Sequence, residues 1–245
     1  MTAINQESLS RSAARTHVGA VRQRNEDAVL DRPEISLWAV ADGAGGHQLG
    51  DYASERIVAA LGAMSPSSSI AQLIEDVRTQ LGRVNRELRE RAADIGPRAM
   101  ICSTVVVLLI VDARSCCLWA GDSRCYLLRA GTLRQISRDH SYVQNLVDRG
   151  EIEPEAAAEH PLANIVTNLL GATDGLVLEE RWNQLLPGDT LLLCSDGLCR
   201  ALADPEMAAI LRDYPVEAAA DRLIETALSR GATDNVSAVV IGYPP

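Results

Sequence analysis

Five aspartates stand in one kind of setting. Asp27 in "NED", Asp42 in "ADG", Asp122 in "GDS", Asp196 in "SDG" and Asp234 in "TDN" sit beside small or turn-forming residues, most of them at the edge of an apolar run. One aspartate in such a place is ordinarily a turn residue or a helix cap. Five, from distant parts of the chain, call for another reason. Strand ends of one sheet system converge, and converging carboxylates repel one another unless cations hold them. No His/Cys cluster accompanies these acids, so the donors are hard oxygens, suited to Mg2+ or Mn2+ rather than Zn2+. Two such ions about 4 Å apart can share a water, lower its pKa and aim it at phosphorus. A site of that kind also needs an arginine to grip the phosphate oxygens in a bidentate contact. Arg22, in "VRQRNED", stands five residues before Asp27. If that stretch were extended the two side chains would point to opposite sides, so a bend near Asn25 is required. Taken alone, Arg22 reads as a surface charge.

The segment "AVADGAGGHQLG" (39–50) offers a rival chemistry, because Gly43, Gly45, Gly46 and Gly50 suggest a phosphate loop. The spacing refuses it. A dinucleotide fingerprint from Gly43 and Gly45 would put its third glycine on Gln48. A Walker loop from Gly45 to Gly50 would need Lys and Ser/Thr where Asp51 and Tyr52 stand, and an acid there repels phosphate. Read locally, the segment is a tight turn before a helix. "CSDGLCR" (194–200) has the C-x5-R spacing of cysteine phosphatases, but Asp196 would put a negative charge inside the ring that must favour a thiolate. A buried thiol ending a strand is the better reading of Cys194. "GDS" (121–123) echoes serine hydrolases, one class of which needs an Asp-x-x-His near the C-terminus; no histidine follows His160.

The elements that must position these groups come from the rest of the 245 residues. With 47% hydrophobic and 23% charged residues the chain can build a globular core. A formal charge of −10 and no basic stripe argue against nucleic acid as a partner. There is no Phe and aromatics are 3%, so aliphatic side chains must fill the core. No apolar leader opens the sequence, and the longest apolar run, Val105–Val111, is too short for a bilayer, so a cytoplasmic location and no membrane partner are expected. The six cysteines, with no CxxC pair, then read as reduced thiols. Cys116 and Cys117 would face opposite sides of a strand.

Strands are expected at 34–41, 103–111, 116–120, 189–194 and 236–243, with a hairpin over 124–136 turning near Gly131. Apolar residues at helical spacing run from Ala53 to Met64 and from Ile70 to Leu88, the second helix opened by a Ser69–Gln72 capping box. Further helices are expected around 141–149, 154–160, 205–213 and 216–230. Strands come in groups with helices collected between them, which is an α+β pattern with mostly antiparallel pairing. A flexible segment over 1–14 and one domain over 15–245 are the expected organisation.

The segments "GAVRQRNEDA", "WAVADGAGGHQLGDYAS", "WAGDSRCYLLRAGTLRQISRDHS", "LVDRGEIEPEAAAEHPLANIVTNLLG", "LLPGDTLLLCSDGL" and "ATDNVSAVVI" resemble, in family order over about 16–242, the metal-dependent PP2C (PPM) serine/threonine phosphatases of the bacterial single-domain type. The resemblance implies a four-layer α-β-β-α sandwich, two mostly antiparallel sheets flanked by helices, with metals at one end. It implies that Asp42 bridges two ions, that the Gly43 carbonyl binds one of them, and that Asp196 and Asp234 complete the first. Asp27 would sit at the second ion, and Asp122 with Asp196 at a third found in bacterial members. The ions would be Mn2+ or Mg2+. Arg22 would hold the substrate phosphate, and about 140–170 would form a flap over the site. His47, within the glycine segment, is a candidate either to protonate the leaving oxygen or to cap the next helix. The implied reaction is hydrolysis of phosphoserine and phosphothreonine in proteins by metal-activated water, without a phosphoenzyme. The implied partners are phosphoprotein substrates and a cognate Ser/Thr protein kinase acting in division, stress response or type VI secretion control, with the phosphatase a monomer. The alternative is a catalytically weak phosphoprotein-binding module of the same fold, whose sign would be a lost metal aspartate; none is lost. Three differences from the family pattern stand out. Ala44 takes the place of a Met, "ICST" (101–104) the place of "MGTT", and Asn168 the place of an arginine.

Overall fold

The structure, a computed structural model, describes residues 10–44, 49–67 and 69–244. Its strands are β1 (Arg11–His17), β2 (Asp27–Arg32), β3 (Leu37–Ala44), β4 (Cys102–Ser103), β5 (Val105–Val111), β6 (Arg114–Ala120), β7 (Arg124–Arg129), β8 (Thr132–Gln135), β9 (Glu179–Gln184), β10 (Thr190–Cys194) and β11 (Val236–Gly242). The helices are α1 (Gly50–Gly62), α2 (Ile70–Ile95), α3 (Tyr142–Asp148), α4 (Asp196–Ala201), α5 (Asp204–Asp213) and α6 (Val216–Ser229). One antiparallel sheet has the order β1-β11-β10-β7-β8; the other runs β2-β3-β5-β6-β9, with β4 paired to the end of β3.

Alternation along the central strands sorts side chains into three apolar layers. Trp38 and Val40 of β3, Val106 and Leu108 of β5, Trp119 of β6 and Val239 of β11 meet between the sheets. Leu37, Ala39 and Ala41, with Val105, Val107 and Leu109, pack outward on the apolar stripes of α1 and α2. Leu192, Val236, Ala238 and Val240 pack outward against residues of α4, α5 and α6. The result is the expected α-β-β-α sandwich. Because both faces of β3, β5 and β11 are covered, these strands read as unbroken apolar runs. Cys116 lies in the helix-side layer and Cys117 between the sheets, as strand geometry requires.

Several expectations need adjustment. The strand expected at 34–41 begins at Leu37, because Pro33–Ile35 forms a 3-10 turn, and it continues through Ala44. The helix expected at 154–160 is one 3-10 turn, Pro154–Ala156. The Ser69 hydroxyl accepts from the Gln72 N–H at 3.1 Å, but the Gln72 amide donates to Asp76 instead of completing the capping box. β1 starts at Arg11, inside the segment expected to be flexible, and pairs along its whole length with β11. Its partly polar sequence belongs to a sheet edge. The equally polar edge strand β9 carries no apolar alternation to reveal it.

Candidate active site

The five aspartates gather at one end of the sandwich. Asp27 opens β2 and is the direct cross-strand partner of Asp42 near the end of β3. Asp122 follows β6, Asp196 is the first residue of α4 after β10, and Asp234 lies just before β11. Glycines set how closely these segments approach. A Cβ on Gly43 would lie 2.1 Å from the Gly50 carbonyl oxygen and 2.7 Å from that of Glu26, so only glycine lets the end of β3 pass between them. The chain does not turn at Gly43; it remains in the strand, donates its N–H to the Glu26 carbonyl at 3.0 Å and pairs with Ser103. A Cβ on Gly197 would lie 2.0 Å from the Asn235 carbonyl oxygen, which is how the start of α4 comes against the Asp234 loop.

Hydrogen bonds then fix the acids. Asp27 is only 7% exposed, and its Oδ2 accepts from the hydroxyls of Ser195 at 2.7 Å and Ser237 at 2.6 Å, tying the two sheets together. Its Oδ1 is buried with no partner. The Asp42 backbone is clamped by the "ICST" segment: its N–H donates to Thr104 Oγ1, and its carbonyl accepts from Ser103 Oγ and the Thr104 N–H. That segment therefore holds Asp42 without the family's glycine.

Arg22 reaches Asp234, with Nε and Nη2 each 3.0 Å from a carboxylate oxygen. The bend this requires is made by Asn235, whose side chain donates to the carbonyls of Val18 and Arg24 and accepts from the Glu26 N–H. Sequence reasoning missed Asn235, Ser195 and Ser237. Each is a small polar residue adjoining or three places from a singled-out aspartate, and that proximity is the only signal in the sequence. On α4, Arg200 pairs with Asp196 at 2.5 Å, one turn away, and approaches Asp234 at 3.6 Å.

Electrostatically the cluster is costly as it stands. Burial raises the Asp42 carboxyl well above the usual range, helped by repulsion from Asp27, Asp196, Asp122 and Asp234. Burial likewise carries Asp27 up to about 7 against the pull of its two serine hydrogen bonds. Asp122, 8% exposed, is also raised to about 7, by burial and then by repulsion from Asp196 and Asp139. Asp196 is raised by burial, with Arg200 opposing. Among the described residues no three carboxylate, imidazole or thiol side chains are arranged around one point as an ion would have them. Arg22 and Arg200 lie on the acids. Yet the donor chemistry fits hard divalent cations. The acids are all oxygen donors, they repel one another, and the unpartnered Asp27 Oδ1 is a buried acceptor of the kind a cation satisfies.

His47 lies outside the described residues, as do Gly45 and Gly46. The 140–170 stretch docks beside Asp122: the His140 N–H donates to the Gly121 carbonyl, and His140 Nδ1 accepts from the Gly121 N–H. Asn168 lies 3.0 Å from His140 Nδ1 and donates to the Val177 carbonyl. The cysteine-phosphatase reading fails. The Cys194 thiol is buried 3.4 Å from Cys199 Sγ, its pKa is raised by that contact and by burial, and Arg200 is engaged with Asp196.

Fold and site together define a class: a two-sheet sandwich with helices on both outer faces and, at one end, a crowd of acids of which Asp27 and Asp122 are buried and Asp42, Asp196 and Asp234 half-buried. The chain belongs to the protein phosphatase 2C family, whose model matches residues 15–237. It is 36% identical over 232 residues to the serine/threonine protein phosphatase PstP of Mycobacterium tuberculosis, a match covering 94% of this chain and 44% of that protein. The chain thus spans less than half the length of that relative. Among solved structures, PppA, a key regulatory component of T6SS in Pseudomonas aeruginosa, is 44% identical with a TM-score of 0.89, covering 96% of this chain and 99% of that one. The catalytic domain of PstP in complex with two manganese ions is 34% identical with a TM-score of 0.83, covering 96% and 99%. Among the described residues no helix is long and apolar enough to cross a membrane.

Proposed function

We propose that this chain is a metal-dependent protein phosphatase that hydrolyses phosphoserine and phosphothreonine and opposes a Ser/Thr protein kinase. The observation that carries the reading is the crowding of Asp27, Asp42, Asp122, Asp196 and Asp234 in a family of phosphatases, with a buried Asp27 oxygen left without a partner. Two Mn2+ or Mg2+ ions suit this set; the PstP catalytic domain is in complex with two manganese ions. Asp42 would bridge them. The Gly43 carbonyl, Asp196 and Asp234 would complete one ion's protein ligands, Asp27 would stand at the other, and Asp122 with Asp196 would take a third. When bound, such ions neutralise charge developing on the phosphoryl group and lower the pKa of the attacking water.

The chain's own residues do the rest. Arg22 grips the phosphoryl oxygens with the fork it now lays on Asp234, and Asn235 keeps the 18–26 loop where that grip is in reach. Ser195 and Ser237 fix one oxygen of Asp27 and leave the other, buried and unpartnered, for a cation. The leaving group is the serine or threonine alkoxide, and no side chain is phosphorylated on the way. The 140–170 stretch beside Asp122 forms the flap that meets the protein substrate. The likeness to PppA points to secretion control as a setting in which to look for the kinase and substrate. The test is release of phosphate from a phosphothreonine peptide with Mn2+, with Mg2+ and with EDTA. Turnover with either ion and none with EDTA supports the proposal; turnover that survives EDTA overturns it.

A further inference from the structure

Beside Asp234, between α4 and the loop that follows α6, lies a cleft of about 210 Å³ that the chemistry above leaves unused. Two guanidinium groups line it. Arg230, on one wall, is held by both oxygens of Glu206 and by the Ala201 carbonyl, so its position is fixed. Arg200, on the other, has a side chain 44% exposed and rests on Asp196 and Asp234. Gly231, Ala232, Thr233 and Asp234 also line it, the first three too short to fill the space. Asp234 therefore meets two cations: Arg22 lies across both of its oxygens, and Arg200 approaches the oxygen Oδ2 that Arg22 Nη2 also touches.

We infer that this cleft is an anion subsite that takes an acidic side chain, a carboxylate or a second phosphate, of the substrate polypeptide near its phosphorylated residue. The inference rests on the phosphatase reading. Three observations argue for it. The carboxylates that occupy Arg200 are those assigned to the ions, and a divalent cation there takes over their charge, leaving a five-donor fork at the cleft's rim with capacity for a new anion. Arg22 Nη2 and Arg200 Nη1 both lie on Asp234 Oδ2, at 3.0 Å and 3.6 Å, close enough together that one or two residues of extended peptide bridge them at about 3.3 Å each. A phosphoryl group on Arg22 thus places a neighbouring acid within reach of Arg200. The space would hold a carboxylate or phosphate together with a few waters at about 30 Å³ per water.

The experiment compares kcat/KM for phosphothreonine peptides whose flanking residues are alanine, aspartate or one non-hydrolysable phosphonate analogue of phosphoserine, in the wild type, in Arg200→Gln and in Arg200→Lys. The ratio of acidic to alanine-flanked peptide cancels any effect of the substitution on the chemical step. The expected wild-type ratio is about tenfold for at least one acidic peptide, the size of one charge-assisted contact. It should fall to near one in Arg200→Gln, be retained in part in Arg200→Lys, and shrink in the wild type between 50 mM and 500 mM salt. Whether aspartate or the phosphonate gives the larger ratio identifies the anion. A wild-type ratio near one, or the same ratio in Arg200→Gln, overturns the subsite while leaving the phosphatase reading intact. Failure to hydrolyse any of the peptides overturns both. If Arg200→Gln does not fold, the wild-type ratio and its salt dependence decide.

Discussion

Stripped of metal, the protein should lose stability as pH rises through the range where most proteins are comfortable. The perturbation is a pH series from 5 to 8 in excess EDTA. The magnitude comes from Asp27, whose carboxyl is carried from 3.8 to about 7 by burial. The folded state keeps that proton where the unfolded chain has released it. The stability linked to it is therefore complete below 3.8 and lost as pH climbs to about 7. At about 1.36 kcal/mol per pH unit the whole loss is about 4 kcal/mol, a large part of the 5–15 kcal/mol that holds a domain together, and about 3 kcal/mol of it falls within the series from pH 5. Asp122 pushes in the same direction but interacts with the same neighbours, so its effect does not simply add. The assay is urea denaturation followed by tryptophan fluorescence. The midpoint should fall steadily from pH 5 to pH 7.5 in EDTA, and Mn2+ should restore it most at the alkaline end, where the acids are charged. Asp27→Asn should flatten the EDTA curve. A midpoint that stays level or rises with pH in EDTA would refute the reasoning, because the acids would then not be crowded and dry.

Four further outcomes are expected. Asp42→Asn and Asp234→Asn should each lower phosphopeptide turnover at least about a hundredfold with unchanged far-UV circular dichroism, since the several kcal/mol of charge stabilisation are lost and the fold is not. Arg22→Ala should raise KM about tenfold with a smaller change in kcat, read by steady-state kinetics, because it removes a substrate contact rather than the reacting groups. Gly197→Ala should destabilise by about 1–3 kcal/mol and lower activity, because its Cβ would meet the Asn235 carbonyl oxygen at 2.0 Å and drive Asp196 away from Asp234. Cys194→Ser should keep most of its activity in the same phosphopeptide assay. Loss of turnover there would revive the C-x5-R chemistry.

The acids were legible in the sequence because most of them stand at the edge of an apolar run whose period marks a strand or a helix, and runs buried on both faces are the easiest to read. Asp196 follows "LLLC" and Asp42 ends "LWAVA". What the sequence could not supply was contact across the sandwich. Nothing near Asp27 announces that its partners are Ser195 and Ser237, residues 168 and 210 positions away. Nothing in "ADGAGG" distinguishes a glycine needed for a turn from one needed for close approach, and Gly43 proves to be the second kind. The edge strands β1 and β9 were hidden for a related reason: half-exposed and polar, they gain their structure from pairing with β11 and β6 rather than from their own pattern. Arg200 was noticed only as part of a motif it does not serve, because its pairing with Asp196 depends on α4 beginning at that aspartate.

The most direct measurement is anomalous diffraction at the manganese edge from crystals grown with Mn2+. The account predicts two strong peaks about 4 Å apart, the pair bridged by Asp42 and flanked by Asp27 on one side and by Asp196 and Asp234 on the other. A map with manganese elsewhere on the protein, and none among these four aspartates, would contradict it.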